Sequence, residues 1–165
     1  MPTTGIAERI AYGRPIDFDD EEDIPVAMVP RKTAALIGRI FLGAIFVVSG
    51  IAKLTDTTGT AGYMTAQGIP YAHALAIFAG ICELAGGLAV AFGFLTRLAA
   101  LGLFLFLVPT TLIFHNFWAL EGAEHKMQMI NFLKNLAIMG GLLLLWAQGP
   151  NRLSVDTRLR RPLDA

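Results

Sequence analysis

The sequence predicts an all-α fold: an integral membrane four-helix bundle. Three observations carry this. Hydrophobic residues make up 55% of the 165 residues and charged residues only 16%, against about 25% charged in an ordinary water-soluble domain. Mean hydropathy is +0.58. Four apolar runs follow one another between polar ends, each close to the ~20 residues that cross a ~30 Å hydrocarbon core. The net charge is zero and no basic run is present, so the electrostatic footprint that nucleic acid requires is missing. The lipid bilayer is the expected surrounding.

Residues 1–33 form an acidic leader. Its centre, "DFDDEED", places Asp17, Asp19, Asp20, Glu21, Glu22 and Asp23 in one short stretch. Such a block repels itself and is expected to stay disordered unless a partner orders it, which makes these six residues a candidate docking segment. The leader has no basic region followed by an apolar one, so it does not read as a secretory signal. The membrane domain, residues 34–148, holds apolar segments over 34–54, 73–95, 98–118 and 130–147. Only Thr96 and Arg97 separate the second and third, which forces a tight antiparallel hairpin. Residues 149–165 form a basic tail with Arg152, Arg158, Arg160 and Arg161.

Cations set the expected orientation. Arg31, Lys32, Arg97 and the tail arginines fall on one side, while Lys53 and Lys126 share the other with Asp56, Glu121 and Glu124. Both termini are therefore expected in the cytoplasm, with 55–72 and 119–129 as outer loops. Tyr63, Tyr71 and Trp118 then lie near the outer interface, where amphipathic aromatics gather. Glycines within the helices, Gly38, Gly43, Gly50, Gly80, Gly86, Gly87, Gly93, Gly102, Gly140 and Gly141, allow close backbone approach and argue for a bundle over separate anchors.

Glu83, in "GICELAGG", lies near the middle of the second segment. An ionised carboxylate there costs at least a few kcal/mol unless a partner answers it. The fourth segment opens "NFLKNL", with Asn131, Lys134 and Asn135. A buried cluster of Glu83 with Lys134 and the two amides is one reading; snorkelling of Lys134 to the interface is the other. Lys53 is a competing partner for Glu83, but at the end of the first segment it reads rather as an interface anchor. His115 and Asn116 lie at the outer end of the third segment near the level of Lys134, suited to polar capping or to a ligand site. Haem held between His115 and His73 is not favoured, since no C-x-x-C-H is present. No zinc-site spacing, phosphate loop or hydrolytic triad is visible. The single cysteine, Cys82, reads as a small buried hydrophobe, and with no C-x-x-C a self-contained dithiol oxidoreductase is disfavoured. Arg39 and Arg97 read as topology determinants, and Pro109 as a kink in the third helix.

"RIFLGAIFVVSGIAKL", "GICELAGGLAVAFGFLTRLAAL", "HNFW", "NFLKNLAIMGGLLLL" and "GPNRLSVD", in this order over about residues 36–156, resemble the DoxX family of small four-helix membrane proteins. The resemblance implies a four-helix bundle in a bacterial cytoplasmic (inner) membrane. It places Arg39, Lys53, Glu83, Arg97, His115, Lys134 and Asn135 in a shared site or framework. Some relatives are linked to thiosulfate:quinone oxidoreduction and others to membrane complexes handling thiols and oxidative stress. Two functions are therefore weighed. One is an accessory, redox-associated component that interacts with a quinone and carries no intrinsic cofactor. The other is a non-catalytic subunit of a larger respiratory or photosynthetic complex, docked through the acidic leader to other membrane protein subunits. A small-solute carrier ranks last, because neither inverted repeats nor broken helix pairs are visible.

Overall fold

The computed structural model describes residues 30–159. The docking carboxylates Asp17–Asp23 and the arginines Arg160 and Arg161 lie outside the described residues. The chain divides into a unit Met1–Arg31 and a unit Lys32–Ala165; the second holds the bundle. Its helices are α1 (Arg31–Thr55), α2 (Thr57–Ala66), α3 (Ala72–Phe92), α4 (Thr96–Phe114), α5 (Gly122–Gln148) and the short α6 (Val155–Leu159), with a 3-10 turn over Phe117–Ala119. No strand occurs among the described residues. Four helices, α1, α3, α4 and α5, are long and apolar enough to cross a membrane.

The α1–α3 contact is built on glycine. A Cβ on Gly43 would stand 2.5 Å from the Gly87 carbonyl oxygen, and one on Gly50 would stand 2.6 Å from the Leu84 amide nitrogen. The pairs run in opposite senses, Gly43 against Gly87 and Gly50 against Gly80 and Leu84, so the helices are antiparallel and their backbones nearly touch. In a bilayer there is little hydrophobic gain from joining helices, so close packing of this kind has to hold them. Phe46, Val90, Ala100, Leu103, Leu107, Met139 and Leu142 form the main core, joining α1, α3, α4 and α5.

The structure corrects two boundaries. The segment 55–72, expected as an outer loop, contains α2. Asp56 caps it by accepting a hydrogen bond from the Gly59 amide at 2.8 Å. Leu54 packs on Gly80, so α1 stops short of the first two turns of α3. There α2 takes its place, with Met64 buried against Ala72, Ala76 and Ala79. The fourth span starts at Gly122, not at 130, because "GAEHKMQM" is polar yet rich in helix formers. The third span runs Thr96–Ala119, close to the expected 98–118; its α-helix ends at Phe114 and Trp118 falls in the 3-10 turn that completes it.

The tail is folded over its described residues, up to Leu159. Gly93 ends α3 in the left-handed conformation at φ 69°. Leu95, at φ 46°, occupies the position before α4 where an oxygen-bearing side chain usually receives the first amides. Leucine has no such oxygen. Asp156 supplies it from the tail, accepting from Leu95 N at 2.7 Å, Thr96 N at 2.8 Å and Thr96 Oγ1 at 2.7 Å. Its own amide donates to Gly93 O at 3.0 Å. Ser154 is fully buried beside it.

Two outcomes are expected from thermal unfolding in detergent. Gly43→Ala should lose about 1–3 kcal/mol by overpacking, whereas Gly102→Ala, with nothing within 4 Å, should stay within about 0.5 kcal/mol of the parent. Asp156→Ala should cost about 1–2 kcal/mol, the usual loss for a helix cap, and should open the tail to protease.

Candidate functional site

The glycine contact fixes the register that builds the site. Lys53 lies three residues beyond Gly50 on α1, and Glu83 three beyond Gly80 on α3. Lys53 Nζ donates to Glu83 Oε2 at 2.8 Å and to Ser49 Oγ, one turn back on the same helix, at 2.7 Å. The Glu83 side chain is 5% exposed and that of Lys53 23%, so the carboxylate is enclosed while the ammonium reaches outward. An ammonium carries three N–H donors. Ser49 and Glu83 take two, which leaves one for an occupant of the adjoining space.

That space is a cavity of about 880 Å³ between α2, α3 and α4, with Lys53 in its wall. Met64, Phe78, Phe106, Ile113 and Phe114 make it largely apolar, and Thr60, Tyr63, Gln67 and Thr110 add hydroxyl and amide groups. The Tyr63 ring stacks on Phe114 with centroids 5.4 Å apart, tying α2 to the end of α4. Pro109 also lines the cavity. It has no amide to continue the helix ladder, and the hydroxyls of Thr110 and Thr111 bond back to Phe106 O and Leu107 O at 2.8 and 2.7 Å. Apolar walls with few convergent polar groups, in the volume range of a small-ligand site, are what an amphipathic ligand requires.

The expected pairing of Glu83 with Lys134 is corrected: Glu83 is joined to Lys53, which is thus no mere interface anchor. Lys134 is exposed on α5 and forms no ion pair among the described residues. The reason is rotational. Asn135 faces α4 and donates to Thr111 Oγ1 at 3.0 Å, and the preceding residue of a helix points about 100° away from that face. Asn131 is half-buried one turn before Asn135. His115 ends α4, and its Nδ1 meets Gln128 Oε1 on α5 at 2.8 Å. Asn116 precedes the 3-10 turn, its carbonyl accepting from Ala119 N at 3.0 Å. His73 is exposed. The expected cluster is thus spread along the α4–α5 contact, apart from Glu83.

Arg39, read from the sequence as a topology determinant, is only 3% exposed and donates from Nη2 to Leu153 O at 3.3 Å. Arg97 is exposed, with Nη2 3.4 Å from Ala147 O. Cys82 is half-buried. No group of three metal-ligating side chains occurs among the described residues. Ser49 and Gln67 were not singled out from the sequence, and Tyr63 was read only as an interface aromatic. The four-residue spacing of Ser49 and Lys53, beside glycines repeating every seventh residue on α1 and α3, was the signal that could have found the ion pair.

A four-helix integral membrane protein, with a buried ion pair at the wall of a ligand-sized apolar cavity, is the class that this geometry defines. The DoxX family model matches residues 34–116. Inner membrane protein YqjF of Escherichia coli (strain K12) is 41% identical over 132 residues, covering 79% of this chain and 95% of that one. Inner membrane protein YphA of the same organism is 35% identical over 128 residues, covering 78% and 91%. The chain belongs to the DoxX family. No solved structure matches it.

The two ends of the ion pair should respond unequally to removal. Lys53→Met leaves an enclosed carboxylate alone and should cost about 3 kcal/mol, whereas Glu83→Leu leaves an ammonium that can turn outward and should cost less. The double variant should recover most of the loss. A double-mutant cycle on unfolding midpoints in detergent reads the coupling.

Proposed function

We propose that this protein is an accessory component of a membrane oxidoreductase system and binds a quinone headgroup in the 880 Å³ cavity. The observation that carries this reading is the position of Lys53, held by Glu83 and Ser49 while lining an apolar chamber. Because Glu83 balances the ammonium, the site is close to neutral. A neutral ring with carbonyl oxygens suits it better than a hydrophilic anion, which would be desolvated without net compensation. The remaining Lys53 N–H reaches a carbonyl, and Tyr63 and Gln67 provide further donors. Phe78, exposed on α3, and Ile113 border the cavity, giving a lipophile a way in from the bilayer.

A quinone takes up electrons and protons together. The Lys53–Glu83 pair is suited to hold and pass a proton. The electrons come from a redox cofactor on a partner subunit, so this reading requires a partner of that class. The acidic leader is the segment we assign to its docking. We place both ends of the chain in the cytoplasm of a bacterium, on the distribution of arginine and lysine between the two sides.

Titration of the purified protein with a short-tailed quinone, followed by quenching of intrinsic fluorescence, tests the reading. The double variant Lys53→Met/Glu83→Leu removes the polar end of the site without stranding a charge. Its affinity should fall about tenfold, the loss of one charge-assisted hydrogen bond. Unchanged affinity, or no binding by the parent protein, would sink the assignment.

A further inference from the structure

The turn at 93–95 and the folded tail mark one end of the bundle. Every residue lining the 880 Å³ cavity lies in the other half. On α3 the lining residues fall between Leu75 and Ala79, before the midpoint of that helix, and on α4 between Phe106 and Phe114, beyond its midpoint. Lys53 stands at the deep end, joined to Glu83 near the middle of α3. The cavity is thus a shaft that runs from the middle of the bundle towards the end opposite the tail.

The two directions from the ion pair differ in chemistry. Thr60, Tyr63 and Gln67 line the cavity at intervals of three and four residues, so they share one face of α2. Thr60 is half-buried, while Tyr63 and Gln67 are exposed. Hydroxyl and amide groups therefore line the way from the surface towards Lys53. A space of this size admits water where polar groups can hold it, and bridging water links such groups nearly as well as a direct hydrogen bond. Towards the tail the packing is closed. Val90, Ala100, Leu103 and Leu142 are buried, and a Cβ on Gly86 would stand 2.8 Å from Leu103 Cδ2. Farther on, Thr96 and Ser154 are fully buried where the tail meets α4.

We propose that the Lys53–Glu83 pair exchanges protons with the aqueous phase at the end opposite the tail, the outer phase in the orientation given above, through the cavity and along the polar face of α2. This rests on the quinone reading. Oxidation of a bound quinol gives two electrons to the redox cofactor of the partner and two protons to the outer phase; reduction of a quinone takes two of each by the same routes. Quinol oxidation at this site thus adds protons to the outer side, whichever side the cofactor of the partner occupies.

Thiol labelling reads water along the shaft, because a charged, membrane-impermeant maleimide reacts with the thiolate, which forms where water reaches. In full-length protein carrying Cys82→Ser, Thr110→Cys places a thiol in the cavity wall, Gln67→Cys at its outer end and Arg152→Cys in the tail. Leu112→Cys places one at similar depth on the exposed face of α4. From spheroplasts, which present the outer face, Thr110→Cys and Gln67→Cys should be labelled, and Arg152→Cys and Leu112→Cys spared. From inverted vesicles Arg152→Cys alone should react. Labelling of Thr110→Cys from inverted vesicles or from neither side, or equal labelling of Leu112→Cys, would overturn the proposal. A short-tailed quinone at about ten times its Kd should slow labelling of Thr110→Cys about tenfold, since only the empty fraction reacts. Outer-face labelling that the quinone does not slow would refute the quinone reading and leave the proton route standing.

Discussion

An ionised carboxylate deep among apolar helices needs a cation within reach, and the ion pair of Glu83 with Lys53 is the constraint around which this bundle is arranged. The cation could come from α1 only if α1 and α3 met at a fixed register and at very short range. Gly43, Gly50, Gly80 and Gly87 provide both. A side chain at any of the four would separate the helices, and the ion pair with them. The pair and the glycines are therefore one device: the glycines bring the charges together, and the charges penalise any slip of one helix along the other.

The same register ends α1 about two turns short of the start of α3. Something has to cover the first turns of α3, and α2 does so without filling the space beside α4. The cavity is a product of this offset. Lys53 meets it because a lysine near the end of α1 lies where the gap begins. Structural and chemical roles thus fall on the same side chain. Its two partners hold its position at the edge of the cavity that it lines.

Much of the fold was legible in the sequence because the bilayer demands long apolar runs, and the positions of the four spans follow from hydropathy alone. What hydropathy leaves open is rotation about each helix axis. Lys134 and Asn135 are adjacent in sequence and are both plausible in a polar cluster, yet only Asn135 turns inward, to Thr111. Depth was misjudged for a related reason. With α5 starting at Gly122, residues expected near the first turn of that helix sit well inside it. The folded tail was hidden by composition, because a polar and basic stretch reads as solvated. Its burial depends on single contacts of Ser154 and Asp156 that no periodicity announces.

The capping of α4 by Asp156 has a consequence for biogenesis. The carboxylate that completes the 93–97 turn is made after all four spans, since it follows α5 in the chain. While the protein is being synthesised, the second and third spans enter the bilayer with the first amides of α4 still awaiting Asp156, and the left-handed Leu95 has no tail contact to hold it. Closure of this end belongs to the last stage of assembly. A chain truncated shortly after α5 would carry every membrane segment and still lack the contact that locks them, which gives quality-control proteases a simple distinction between finished and unfinished copies.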